Sequence, residues 1–133
     1  MEKLTIDATV ENLPEATEFI TSSLEEKNCS MKTIMQMELV IEEIFVNVAS
    51  YAYRPTVGLV TICKELDAQS ITISFIDSGV AYNPLAREDP DVNAKIEDRD
   101  IGGLGIFLVK KNVDEIFYER KDGQNILTMK KLF

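Results

Sequence analysis

The chain has 133 residues, 45% hydrophobic and 28% charged, with a formal net charge of −9. That size and mix allow one domain, residues 1–133, with a real apolar core, while a pI near 4.5 excludes the basic footprint of a nucleic-acid binder. No histidine is present and the two cysteines, Cys29 and Cys63, stand far apart, so histidine bases, histidine metal ligands, a zinc spacing and a disulfide framework are excluded.

An acidic surface repels anionic membranes and suits a partner with a basic face. The opening "MEKLTIDATV" has no apolar signal core, and no run reaches the ~18 apolar residues of a membrane span. A cytoplasmic protein with reduced cysteines is expected.

Leu4 to Val10 alternates enough to form a strand. "NLPEATEFITSSLEEKN" then reads as a helix, with Pro14 in its first turn and Ala16, Phe19, Ile20 and Leu24 on one face. Ser30 is placed to cap a second helix from about Met31 to Ala52, along which Ile34, Met37, Ile41, Ile44 and Val48 recur at three-four spacing. Leu39, Val40, Phe45 and Val46 add apolar surface on its other sides, which predicts a helix buried at the centre of the fold. "LVTICKEL" and "SITISFID" read as two strands joined near Asp67 to Gln69.

Ser78 to Asp100 carries two prolines and many charges, a long connection for a compact domain. After a glycine stretch comes a helix to about Asn112, then a final hairpin turning at Asp122-Gly123. Strand pairs with short turns predict a mostly antiparallel mixed sheet covered on one face by helices, an α/β (α+β) two-layer sandwich.

Three places stand out for chemistry. Glu43 and Asn47 are four apart on the central helix, so they share a face nearly opposite its apolar stripe. A solvated strip is the plain alternative, but apolar neighbours flank the pair, and a carboxylate beside an amide oxygen suits a nucleophile and a hydrated metal ion. Asp77 ends an apolar strand before Ser78 and Gly79, either as a simple Asp-x-Gly turn or as a rigidly held acceptor. In "DIGGLGIF", Gly102, Gly103 and Gly105 surround Leu104 where a helix opens. Free N–H groups and the dipole at such a terminus suit an anion, phosphate above all, although the Lys-Ser/Thr ending of a Walker loop is missing.

Taken in order, these three motifs resemble those of the GHKL ATPase superfamily, which includes DNA gyrase, sensor histidine kinases and mismatch-repair ATPases. Glu43 and Asn47 match its N box, Asp77 and Gly79 its first glycine box, and Gly103 and Gly105, preceded by Gly102, its second. Within that superfamily the chain looks most like the small bacterial anti-sigma-factor serine kinases, a likeness that runs from about residue 5 to 131.

The resemblance implies the Bergerat fold, with an ATP lid over about residues 83–101. It implies that Glu43 is the general base for a serine hydroxyl and that Asn47 holds Mg²⁺. Asp77 would accept from the adenine amine, Gly79 would let the ring sit close, and the backbone of 102–105, Leu104 included, would wrap the phosphates of ATP. The implied partners are a sigma factor and an anti-anti-sigma protein, with homodimerisation. Tyr51 stands where the family often has histidine, Ala81 replaces a second glycine or polar residue, Gln124 and Asn125 replace a threonine pair, and Arg99 or Arg87 is left as the arginine for the γ-phosphate. These departures keep a second reading open, a partner-switching module of the same fold that sequesters a regulator without phosphorylating it. A slow free-standing ATPase is a third.

Overall fold

The computed structural model describes residues 1–53, 56–86 and 101–133, apart from the side chains of residues 101–104. Among these residues five strands form one sheet: β1 (Glu2–Asp7), β2 (Leu59–Leu66), β3 (Ser70–Asp77), β4 (Glu115–Lys121) and β5 (Gln124–Leu132). Their spatial order is β1-β2-β3-β5-β4, and all four pairings are antiparallel. The last strand in sequence therefore enters the sheet between β3 and β4.

Side chains alternate across a sheet, so the register sorts residues onto faces. One row crosses all five strands as Leu4, Ile62, Phe75, Leu127 and Tyr118. The neighbouring row on that face reads Ile6, Val60, Asp77, Asn125 and Arg120. Ile62, Phe75 and Leu127 are buried, together with Ile73 and Met129 of the next row. The opposite face is rich in hydroxyls, which pair across strands: Thr5 with Thr61 and Ser74 with Thr128, each at 2.9 Å.

Among the described residues three α-helices complete the fold: α1 (Leu13–Glu26), α2 (Met31–Asn47) and α3 (Ile101–Asn112). Ser30 caps α2 as expected, its hydroxyl accepting from the Thr33 N–H at 3.1 Å. Ile34, Met37, Val40, Ile41, Ile44 and Phe45 of α2 are all buried. Ala16, Ile20 and Leu24 of α1 and Ile106 and Val109 of α3 join them in one core. The central helix of the sequence pattern is thus the central helix of the structure.

Three boundaries differ from the sequence pattern. The first strand ends at Asp7, and a short 3-10 turn (Val10–Asn12) leads into α1. The α-helical part of the second helix stops at Asn47 and continues as a π-helical turn over Val48–Ala52, a rare widening that tends to occur at functional sites. The third helix begins at Ile101, so the glycines fall within its first turns rather than before it. A first turn lacks intrahelical N–H bonds in any case, which lowers the demand for good helix formers there.

Lys64 of β2 is 5% exposed and faces the helices. Its ammonium donates to the Phe19 carbonyl at 2.6 Å and lies 4.1 Å from the centre of the Phe19 ring. Glu2, at 3.6 Å, completes its surroundings. Among the described residues no helix is long and apolar enough to cross a membrane.

The β2–β3 turn is built on one carboxylate. Oδ1 of Asp67 accepts from the Gln69 and Ser70 N–H groups, and Oδ2 from the Ser70 hydroxyl. These bonds, the Gln69 N–H foremost, hold the Asp67 carboxyl below its ordinary value of 3.8. A folded-state value below the unfolded one means that the stabilisation is present above 3.8 and is lost as pH falls through the lower, folded value. Thermal unfolding followed by circular dichroism from pH 6 to pH 2.5 is expected to show a steeper acid loss in the wild type than in D67N.

Candidate functional site

A cavity of about 1040 Å³ lies between α2, its π-helical extension, α3 and the end of the sheet that carries Asp77. It is at the upper end of the range for small-molecule sites. Glu43 and Asn47 enter from α2, Asp77 from the end of β3 and Gly105 from α3. Residues far apart in sequence thus converge here, and the apolar wall is supplied by Ile44, Phe75, Ile106 and Leu127.

The central helix explains the first pair. Its apolar sides are consumed by the sheet and the other helices, which leaves the strip with Glu43 and Asn47 to face the open volume. Both residues are partly exposed rather than fully solvated. The Glu43 carboxylate rests on α3: a Cβ placed on Gly105 would lie 2.5 Å from Glu43 Oε2. Glycine at 105 is what lets the carboxylate sit against the helix backbone.

Asp77 is 7% exposed. Its Oδ1 accepts from the Gly79 N–H and from the Asn125 side-chain amide, both at 2.9 Å. Its Oδ2 has no hydrogen-bond partner among the described residues, and Asp77 lines the cavity.

Gly79 has a different surrounding from the one its motif implies. It does not line the cavity. A Cβ there would collide with the Ala52 backbone, 2.6 Å from its carbonyl carbon. The next residue bonds the same group, with Val80 N–H donating to the Ala52 carbonyl at 2.9 Å. Gly79 thus lets the loop after β3 lie directly on the π-helical turn. Tyr53 secures the same junction, its hydroxyl accepting from the Ser78 N–H at 2.7 Å and donating to the Leu59 carbonyl.

Gly102 and Gly103 lie in the first turn of α3, together with Leu104. The proposed lid is described only at residues 83–86, where Pro84 begins a 3-10 turn and lines the cavity. The rest of the lid before α3, with Arg87 and Arg99, lies outside the described residues.

Sequence reasoning passed over several wall residues. Tyr51, Ala81 and Asn125, singled out as departures, all line the cavity, together with Ser50, Tyr82 and Tyr118. Asn125 had a visible signal: asparagine is unfavourable in a strand interior, and here it stands in the inward-facing alternation with Leu127 and Met129.

This arrangement of elements is that of a known family. The chain belongs to the histidine kinase-like ATPase domain family, whose model matches residues 6–131. It is 31% identical over 101 residues to the serine-protein kinase RsbW of Bacillus cereus, a match covering 73% of this chain and 63% of that protein. It is 26% identical over 94 residues to the serine/threonine-protein kinase BtrW of Bordetella bronchiseptica, covering 70% of this chain and 66% of that protein. The chain thus spans less than two thirds of the length of these curated relatives. Its fold is shared with the crystal structure of the RsbU and RsbW domains of Rv1364c from Mycobacterium tuberculosis, at a TM-score of 0.67 and 18% identity over 99% of this chain and 33% of that one.

Gly79 and Gly105 should respond differently to alanine. At Gly105 the obstacle is the end of a flexible side chain, and alanine gains about 1 kcal/mol of helix propensity, so G105A is expected to keep or raise stability while displacing Glu43. At Gly79 the obstacle is backbone, and G79A is expected to lose at least about 2 kcal/mol. Urea unfolding of the two variants checks both outcomes.

Proposed function

We propose that the chain binds ATP with Mg²⁺ and transfers the γ-phosphoryl group to a serine of an anti-anti-sigma protein, and that it also acts as an anti-sigma factor. The observation that carries this reading is the convergence of Glu43, Asn47, Asp77 and Gly105 on one largely apolar cavity, in a chain of the histidine kinase-like ATPase family. The serine-protein kinases among its relatives support the reaction type.

Each group has a task suited to its place. The apolar wall takes the flat faces of adenine, and Oδ2 of Asp77 accepts from its exocyclic amine. The N–H groups of the first turn of α3, through Gly102, Gly103 and Leu104, face the phosphates. Glu43 takes the proton of the serine hydroxyl as its oxygen bonds to the γ-phosphorus and the bond to the β–γ bridging oxygen breaks, with ADP as the leaving group.

The donor set also fits magnesium. Asn47 offers a neutral oxygen and Glu43 a carboxylate on the same wall, and this ion takes few protein oxygens while keeping several waters. Asn47 would hold it, and the ion supplies charge neutralisation along the phosphates. In this reading Gly79 acts on the base indirectly, by seating the loop beside it. A sigma factor and the anti-anti-sigma protein compete for the chain in the cytoplasm, and the active form is a homodimer.

Calorimetric titration should show Mg²⁺-dependent ATP binding by the wild type, weakened at least tenfold in N47A. No binding by folded wild-type protein overturns the proposal. With a cognate anti-anti-sigma protein present, E43A is expected to bind ATP within about threefold of wild type and to lose phosphoserine formation by roughly 10²- to 10⁴-fold, the usual worth of a general base. Undiminished transfer by E43A assigns the proton to another group. Sequestration without any transfer by the wild type favours the non-enzymatic alternative.

A further inference from the structure

Asn125 stands directly opposite Asp77 in the β3–β5 register, and every polar valence of its carboxamide is in use. Its Nδ2 donates to Asp77 Oδ1 at 2.9 Å and to the Val80 carbonyl at 2.8 Å. Its Oδ1 accepts from the Tyr82 N–H at 3.2 Å and from the Tyr118 hydroxyl. The donors around Oδ1 and the acceptors around Nδ2 allow only this orientation of the amide. Asn125 is itself 7% exposed.

We infer that Asn125 is the positioning residue for base recognition: it fixes the Asp77 carboxylate and the loop of residues 78–82 together, so that Asp77 alone reads the base. This rests on the nucleotide reading above and deepens it. With Oδ1 of Asp77 taken by two donors, only Oδ2 remains to accept from a ligand. A carboxylate oxygen attracts an exocyclic amine and repels an exocyclic carbonyl. The amide of Asn125 has no spare donor or acceptor with which to rescue the wrong base. Arg120, across from Asn125 in the β4–β5 register, fastens the same loop by donating to the Gly79 carbonyl at 2.9 Å. The site is therefore built to prefer a 6-amino over a 6-oxo purine, and Asn125 sets how strongly.

The test is the ratio of dissociation constants for inosine and adenosine triphosphates, measured by calorimetry on wild type, N125D and N125A, with thermal unfolding recorded for each. The wild type is expected to favour ATP at least tenfold. N125D keeps the shape and both acceptor contacts but faces Asp77 with a second carboxylate. Its preference should fall below threefold at pH 8 and recover toward pH 6, because one of two adjacent carboxyls holds its proton to a higher pH than a lone carboxyl does, and that proton restores the donor. N125A should lose the preference at both pH values. A merely structural role would lower stability without moving the ratio or giving it a pH dependence. If folded N125D or N125A keeps the wild-type ratio within twofold at pH 8, Asn125 does not position Asp77 and the inference falls alone. If the folded wild type binds neither nucleotide, the nucleotide reading falls and the inference falls with it.

Discussion

The fold depends on the burial of one helix. Helix α2 carries six fully or nearly fully buried apolar residues, distributed around more than one side. Such a helix must be enclosed by other elements, and the sheet, α1 and α3 supply the enclosure. The polar strip that cannot be enclosed is left facing a cavity. The position of Glu43 and Asn47 is therefore a by-product of core packing, and it is held by a helix buried in the core. Chemistry that needs a carboxylate fixed within a fraction of an ångström gains from such support.

A second set of constraints acts at the other wall. The loop after β3 lies on the π-helical turn of α2 through Gly79 and Val80, and it is tied to the β4–β5 hairpin through Asn125 and Arg120. Backbone groups of Ser78, Gly79, Val80 and Tyr82 thus have partners drawn from elements distant in sequence. Loops are normally the mobile parts of a domain; this one is bonded on both sides, to the π-helical turn and to the β4–β5 hairpin.

Much of this was legible in the residues. Ile34, Met37, Ile41 and Ile44 announced the central helix by their spacing, and α2 buries all four. The short turns at Asp67 and at Asp122-Gly123 announced antiparallel neighbours, and the positive φ values of 53° and 77° at Asp122 and Gly123 are what a tight hairpin requires. The strip with Glu43 and Asn47 followed from helix geometry alone, as did its distance from the apolar stripe. What could not be read were contacts between distant segments. No local pattern says that Gly79 must meet Ala52, that Asn125 must face Asp77 from 48 residues away, or that Lys64 would turn inward to the Phe19 carbonyl. A lysine in a strand is ordinarily placed on the wet face, and only the carbonyl and ring of a helix packed above it reverse that choice.

The insertion of β5 between β3 and β4 sets a timetable. Asn125 follows every helix and every other strand in chain order, and the Asp77 loop has no side-chain anchor on that flank until β5 pairs with β3. A nascent chain can assemble α1, α2 and the β2–β3 hairpin from contacts closer in sequence, whereas pairings across long separations form late. The pairing that anchors the pocket wall is accordingly, like that of β1 with β2, one of the two with the longest sequence separations in the sheet. A ligand that bridges both walls would meet a competent pocket only on chains in which β5 has joined β3, so occupancy of the pocket doubles as a certificate that the last strand is in place.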